Sequence, residues 1–276
     1  MRALVTGAGK RLGAAMAMEL ARIGHDVAVH YAGSAEGAAE TVAAIEAAGR
    51  RGVALQADLL DLDACEALVG RAADALGGPL DVLVNNASIF DHDTLASASR
   101  ETWDRHMGSN LRAPLILIQA FAAQAPDPGE EDGEAVARAC VVNMVDQRVR
   151  KLTPEFMTYT LAKAGLWTLT QTAAQALAPA IRVNAIGPGP TLRATRQSEA
   201  HFAAQRAGVP LERGANPDEI CDAMRYLVSS KSVTGQLICV DGGQHIGWRT
   251  PDILGVEGRM RRGQVPSVSR FSPRQR

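Results

Sequence analysis

The sequence predicts an α/β fold: a single domain built on a doubly wound, parallel, seven-stranded sheet with helices on both faces. Short β-branched runs alternate with longer Ala-rich segments of helical period, and strict alternation of that kind implies parallel strands joined by helical crossovers. No linker of altered composition splits the series into halves. A glycine-rich turn directly after the first run marks a strand-to-helix junction of the kind that binds anionic groups.

The strands are expected at 3–5, 26–30, 52–56, 82–84, 140–143, 182–185 and 236–240. Helical patterns fill the gaps at 12–23, 35–48, 62–76, 100–121, 156–177 and 217–229. The last helix opens with Asn216-Pro217-Asp218-Glu219, which reads as an N-cap, a proline at the first helical position and acidic first-turn residues. Aromatic residues make up only 4% of the chain, so the core must be built from Ala, Val, Leu and Ile.

Composition excludes several classes. Hydrophobic residues at 46% and charged residues at 21% are globular values and exclude wholesale disorder. A net charge of -1 argues against a dedicated nucleic-acid binder. The longest apolar stretch, 115–125, is interrupted by Gln119 and falls short of the ~20 residues needed to span a bilayer. Cys65, Cys140, Cys221 and Cys239 form no CxxC pair and no metal-ligand spacing; Cys140 and Cys239 lie in apolar runs and read as small buried thiols. With no leader at the N-terminus, the expected location is the cytoplasm and the expected partner is a small molecule, not a membrane or nucleic acid.

Residues 1–248 form the expected domain. Residues 249–276 form a basic extension with seven Arg against Asp252 and Glu257, read as a solvated or subunit-packing tail. Residues 126–134, PDPGEEDGE, read as an acidic surface loop without chemistry.

Thr6-Gly7-Ala8-Gly9-Lys10-Arg11-Leu12-Gly13 lets backbone amides approach a pyrophosphate at the start of the first helix. Choice of nucleotide is made about 20 residues further on, where a carboxylate would bind an adenosine 2′-hydroxyl and repel a 2′-phosphate. Here the second strand ends His30-Tyr31-Ala32-Gly33-Ser34, with no acid. Arg11 offers a cation nearby, and His30 and Ser34 offer donors, so NADPH is the expected cofactor. Asp58 is better placed for the adenine than for the ribose. Tyr159 and Lys163 stand one helical turn apart, and the ammonium is expected to lower the phenol into a catalytic range.

These motifs occur together with Asn85-Asn86-Ala87-Ser88, Asn110, Gly187-Pro188-Gly189, Thr234-Gly235 and Val240-Asp241-Gly242-Gly243. In that order and spacing, residues 1–248 resemble the short-chain dehydrogenase/reductase family, which implies a Rossmann-type fold, a homotetramer and a lid over 193–214. The resemblance implies catalytic roles for Asp146, Tyr159, Lys163 and Asn110. It places the cofactor along Gly7, Arg11, Leu12, His30, Tyr31 and Ser34, then Asp58, Leu59, Asn86, Ala87 and Ser88. Tyr159, Lys163, Pro188, Gly189 and Thr191 complete that set.

Two departures from ordinary members are informative: Arg11 replaces a glycine, and Asp146 replaces the serine thirteen residues before the tyrosine. With Phe90 after Asn85–Ser88 and Gly108-Ser109-Asn110, they resemble the pteridine reductase branch, including the dihydromonapterin reductases. That resemblance implies a pterin between Phe90 and the nicotinamide, with Arg11, Ser88, Asp146 and Tyr159 at its polar edges. Tyr159 or Asp146 would supply the proton to a dihydromonapterin, dihydrobiopterin or dihydrofolate-like substrate. The alternative is a carbonyl reductase for a 3-oxoacyl thioester, sugar or alcohol. A non-enzymatic nucleotide sensor is disfavoured because Tyr159 and Lys163 are both present. In either enzyme, Trp248 would wall a neighbour's pocket or anchor an interface.

Overall fold

The computed structural model describes residues 1–194 and 197–248; the basic extension at 249–276 lies outside the described residues. In chain order the first units are β1 (Arg2–Val5), α1 (Arg11–Arg22), β2 (Asp26–Tyr31), α2 (Ala35–Ala47), β3 (Gly52–Gln56), α3 (Leu62–Leu76) and β4 (Val82–Asn85). After α4 (Arg100–Met107), a π-helical turn at Gly108–Arg112 leads into α5 (Ala113–Gln124). A hairpin of β5 (Gly129–Glu131) and β6 (Glu134–Val136) follows, then β7 (Ala139–Met144), α6 (Met157–Leu177) and β8 (Ile181–Pro188). The series ends with α7 (Glu199–Ala207), α8 (Pro217–Ser229) and β9 (Leu237–Val240).

The main sheet runs β3-β2-β1-β4-β7-β8-β9, and every neighbouring pair is parallel. Alternation along each strand feeds two separate cores. Ala3, Val5, Val82, Val84, Cys140 and Val142 pack with Met16 and Leu20 of α1 and Ile220 and Met224 of α8. Leu4, Leu83 and Val141 face the other way, onto Leu68 of α3 and Leu117 and Phe121 of α5. The expected seven strands are all present, and the central ones are buried on both faces. The helix at 217–229 has the expected bounds, with the Asn216 N–H donating to Glu219 Oε2 at 2.7 Å.

Two segments differ from the sequence expectation. The single helix expected over 100–121 is broken by the π-helical turn. Pro114 supplies a reason: a proline inside a helix cannot donate to the carbonyl four residues back, and its ring crowds that group, here Asn110. The acidic loop supplies β5 and the turn of the β5–β6 hairpin, made by Asp132 and Gly133, both at positive φ, the Asp-Gly pair that a tight two-residue turn favours. The segment expected as a lid includes α7, whose Arg206 donates to the carbonyls of Pro190, Gly214 and Ala215 and so ties it to the domain.

Candidate active site

The sheet order reverses between β1 and β4, which opens a crevice beyond the carboxyl ends of the strands. A cavity of about 740 Å³ occupies it, running from Ser34 and Asp58 at one end to Phe90, Asp146 and Tyr159 at the other. The loops after β1, β2, β3, β4, β7 and β8 all contribute, which explains how residues so distant in sequence share one site.

The glycine-rich turn is locked to the loop after β4. Thr6 Oγ1 accepts from the N–H groups of Asn86 and Ala87, at 2.9 and 3.0 Å, while Asn86 Nδ2 donates to the Thr6 and Gly7 carbonyls. Gly7 has φ 63°, and a Cβ on Gly13 would lie 2.2 Å from the Gly7 oxygen. The turn therefore presents bare backbone to the cavity, a cradle fitted to a pyrophosphate. Leu12, Leu59, Asn86 and Ala87 line the same space, and Pro188, Gly189 and Thr191 line it from the β8 side. Asp58 also lines it, with Oδ1 accepting from the Leu60 N–H.

Two of the expected cofactor contacts are placed differently. His30 is 1% exposed; its Nδ1 accepts from the Gly7 N–H at 3.0 Å, so Nε2 carries the proton and faces the Ala57 carbonyl at 3.1 Å. Both nitrogens are thus engaged, and His30 has no donor left for a ligand. Burial pushes its pKa down and keeps the ring neutral, as the Gly7 contact requires. Arg11, expected to face the 2′-phosphate, sends its guanidinium to the carbonyls of Arg193 and Leu192, at 2.8 and 3.1 Å. It joins the glycine-rich turn to the chain that follows β8. Lys10, exposed and lining the cavity together with Ser34 and Tyr31, adds a cation at that end that sequence reasoning passed over.

At the opposite end the Tyr159 hydroxyl donates to Asp146 Oδ2 at 3.0 Å, and Asp146 Oδ1 accepts from the Arg148 N–H at 2.8 Å. Lys163, 2% exposed, donates to the Met144 carbonyl at 2.7 Å, with its Nζ 5.8 Å from the centre of the tyrosine ring. The expectation of a phenol lowered by Lys163 is overturned. Burial, followed by the neighbouring Asp146 charge, pushes Tyr159 well above its ordinary range. Withdrawal from water likewise raises Asp146, and burial lowers Lys163 to about 8. The phenol therefore keeps its proton, which suits a donor. Ser88 lines the same end of the cavity.

Phe90 is 45% exposed and lines both the main cavity and a side pocket. One of its faces lies on Phe156, with ring centres 4.3 Å apart and an angle of 7°, and the Tyr159 ring meets it edge-on at 4.6 Å. Arg148 sits over the Phe156 ring. Phe156 and Arg148 were missed in the sequence; the signal was an aromatic three residues before the tyrosine, at helical spacing. Asn110, expected to be catalytic, is fully buried and does not line the cavity. Its side chain accepts from the Ile89 N–H at 2.9 Å and donates to the Ile89 carbonyl at 2.8 Å, holding the loop between Ser88 and Phe90.

The family model described as enoyl-(acyl carrier protein) reductase matches residues 7–245. The chain is 33% identical over 249 residues to a 3-oxoacyl-[acyl-carrier-protein] reductase, FabG, of Staphylococcus aureus, covering 88% of this chain and 98% of the relative. A crystal structure of FolM alternative dihydrofolate reductase 1 from Brucella canis, complexed with NADP, is similar with a TM-score of 0.84 and 42% identity. It covers 91% of this chain and 96% of that one. A short-chain dehydrogenase from Burkholderia cenocepacia, also in complex with NADP, gives a TM-score of 0.80 and 35% identity over 88% and 97% of the two chains. The matches run through the glycine-rich turn, the catalytic helix and the last strand alike, so this chain belongs to the short-chain dehydrogenase/reductase family and is an oxidoreductase.

Proposed function

We propose that the protein reduces a pterin with NADPH. The observation that carries this reading is the pairing of Asp146 with the Tyr159 hydroxyl at 3.0 Å beside the half-exposed Phe90 ring, all lining one cavity. A flat heteroaromatic substrate needs an apolar face and convergent polar groups, and this end of the cavity supplies both. The FolM relative's likeness supports the reading.

When bound, the nicotinamide supplies the hydride; the residues described here handle the substrate and the proton. Phe90, backed by Phe156, offers its remaining face to the ring. Ser88 and Asp146 hold the polar edge, and the Tyr159 phenol, which retains its proton beside the Asp146 carboxylate, delivers it to the ring nitrogen next to the reduced carbon. Arg11 lines the same cavity, with its guanidinium held by the carbonyls of Leu192 and Arg193. The carbonyl-reductase alternative is favoured by the FabG relatives. Asp146 weighs against it, since a carboxylate repels the alkoxide that develops when a carbonyl is reduced. NADPH oxidation across dihydropterins, dihydrofolate and acetoacetyl thioesters tests the reading: rapid turnover of the thioester with every pterin ignored would replace it.

At the cofactor end, NADPH is expected to bind more tightly than NADH, because Lys10 and Ser34 line the site and no acid ends β2. Lys10→Ala should narrow that preference by about tenfold, the scale of one charge-assisted hydrogen bond. Titration of both cofactors by fluorescence checks this, and equal wild-type affinities would refute the preference. Phe90→Ala is expected to weaken dihydropterin binding by roughly tenfold or more, from about 1–3 kcal/mol of stacking. An unchanged KM would remove Phe90 from the platform. We carry the homotetramer forward as the proposed assembly; exposed Trp103, Leu115 and Leu161 on α4, α5 and α6 fit that packing.

A further inference from the structure

Asp93, His106 and Thr158 come from three segments, the loop after β4, helix α4 and the first turn of α6, and none is more than 2% exposed. Their hydrogen bonds have a defined direction. The Asp91 N–H donates to His106 Nε2 at 3.1 Å, so the neutral ring carries its proton on Nδ1 and donates to Thr158 Oγ1 at 2.7 Å. The Thr158 hydroxyl then donates to Asp93 Oδ2.

Asp93 has a second task. Its Oδ1 accepts from the Thr158 N–H at 3.1 Å and its carbonyl accepts from the Met157 N–H at 3.2 Å. Phe156, which precedes the helix in a left-handed conformation, makes no side-chain cap. The cap of α6 is therefore supplied across space by the loop that also carries Ser88 and Phe90. Tyr159 is the next residue after Thr158, and the His106 ring meets the Tyr159 ring edge-on at 6.0 Å.

We infer that Asp93, Thr158 and His106 are positioning residues of the reaction, fixing the Tyr159 phenol in register with the Ser88–Phe90 loop. They touch neither substrate nor cofactor, and none of the three lines the cavity. The network links the proton donor to the aromatic platform, two parts of the site that belong to separate segments. Misplacement of a reacting group by about 1 Å can cost 10²-fold in rate, so its loss should appear in turnover.

The inference rests on Tyr159 as proton donor, whatever the substrate. Thr158→Val keeps the shape and removes the hydroxyl; kcat should fall by about 10- to 100-fold with NADPH affinity unchanged, and Thr158→Ser should restore it. A paired test at His106 guards against misfolding. His106→Asn keeps a donor near the Nδ1 position and should retain most of kcat. His106→Gln keeps an acceptor near Nε2 but loses the donor to Thr158, and should resemble Thr158→Val. Any other ordering of these two variants, or parallel loss of NADPH binding and kcat, overturns the inference. The substrate is 7,8-dihydrobiopterin, or acetoacetyl-coenzyme A if the wild type ignores the pterin, so failure of the pterin reading is seen in the wild type and failure of the network only in the variants.

Discussion

Tyr159→Phe is expected to lower kcat by about 10²–10⁴-fold, the usual contribution of a positioned acid, while leaving the affinity for NADPH unchanged. The ring is held by Phe90 on one side and His106 on another, so phenylalanine fills the same place and only the hydroxyl is lost. Since burial and Asp146 hold the phenol above its ordinary range, the donor stays loaded through neutral and mildly alkaline pH. Any fall in kcat/KM with rising pH must come from another group, and Lys163 is the one set to titrate, near pH 8. Above that value its charge no longer offsets Asp146, and the reductive rate should decline. Lys163→Met should flatten this limb at a lower rate. Single-turnover measurement with saturating NADPH separates the two effects, and substantial activity in Tyr159→Phe would move the donor role to Asp146.

The parts of this site that were legible in the sequence are those whose chemistry is local. A glycine-rich turn after a strand, or a tyrosine and lysine one turn apart, declares its geometry through spacing alone. His30 and Arg11 did not, because their partners are remote. His30 faces Ala57, and Arg11 faces Leu192 and Arg193, so residues that look free in sequence are already engaged in the fold. The direction of the Tyr159 shift is not legible for a related reason: spacing places Lys163 near the ring but says nothing of how deeply both are buried, nor that Asp146 meets the hydroxyl. The broken helix at Gly108–Arg112 was in principle readable from Pro114, and the hairpin from Asp132-Gly133. Both were outweighed by a longer pattern, apolar in one case and acidic in the other. Strand placement was the most legible feature, because two-sided burial demands continuous apolar runs whatever the chain does elsewhere.

Asp146→Ser should reduce dihydropterin turnover by about 10²-fold or more without a comparable gain on acetoacetyl thioesters. Asp146 does three things that a serine cannot do together. Its Oδ2 accepts the Tyr159 hydroxyl, its Oδ1 accepts the Arg148 N–H, and its charge helps keep the proton on the phenol. Serine can replace one acceptor but not both, so the turn at Gln147–Val149 loosens and Arg148, which lies over Phe156, loses its fixed origin. The platform beneath Phe90 and the proton donor should thus suffer together, with KM for the pterin rising as kcat falls. Asp146→Asn separates the contributions, because the amide keeps an acceptor for Arg148 but carries no charge. If the pterin reading holds, Asn should recover KM more fully than kcat. A serine variant that instead gains thioester reduction and leaves KM for the pterin untouched would mean that Asp146 suppresses carbonyl chemistry only, and that another part of the cavity holds the pterin.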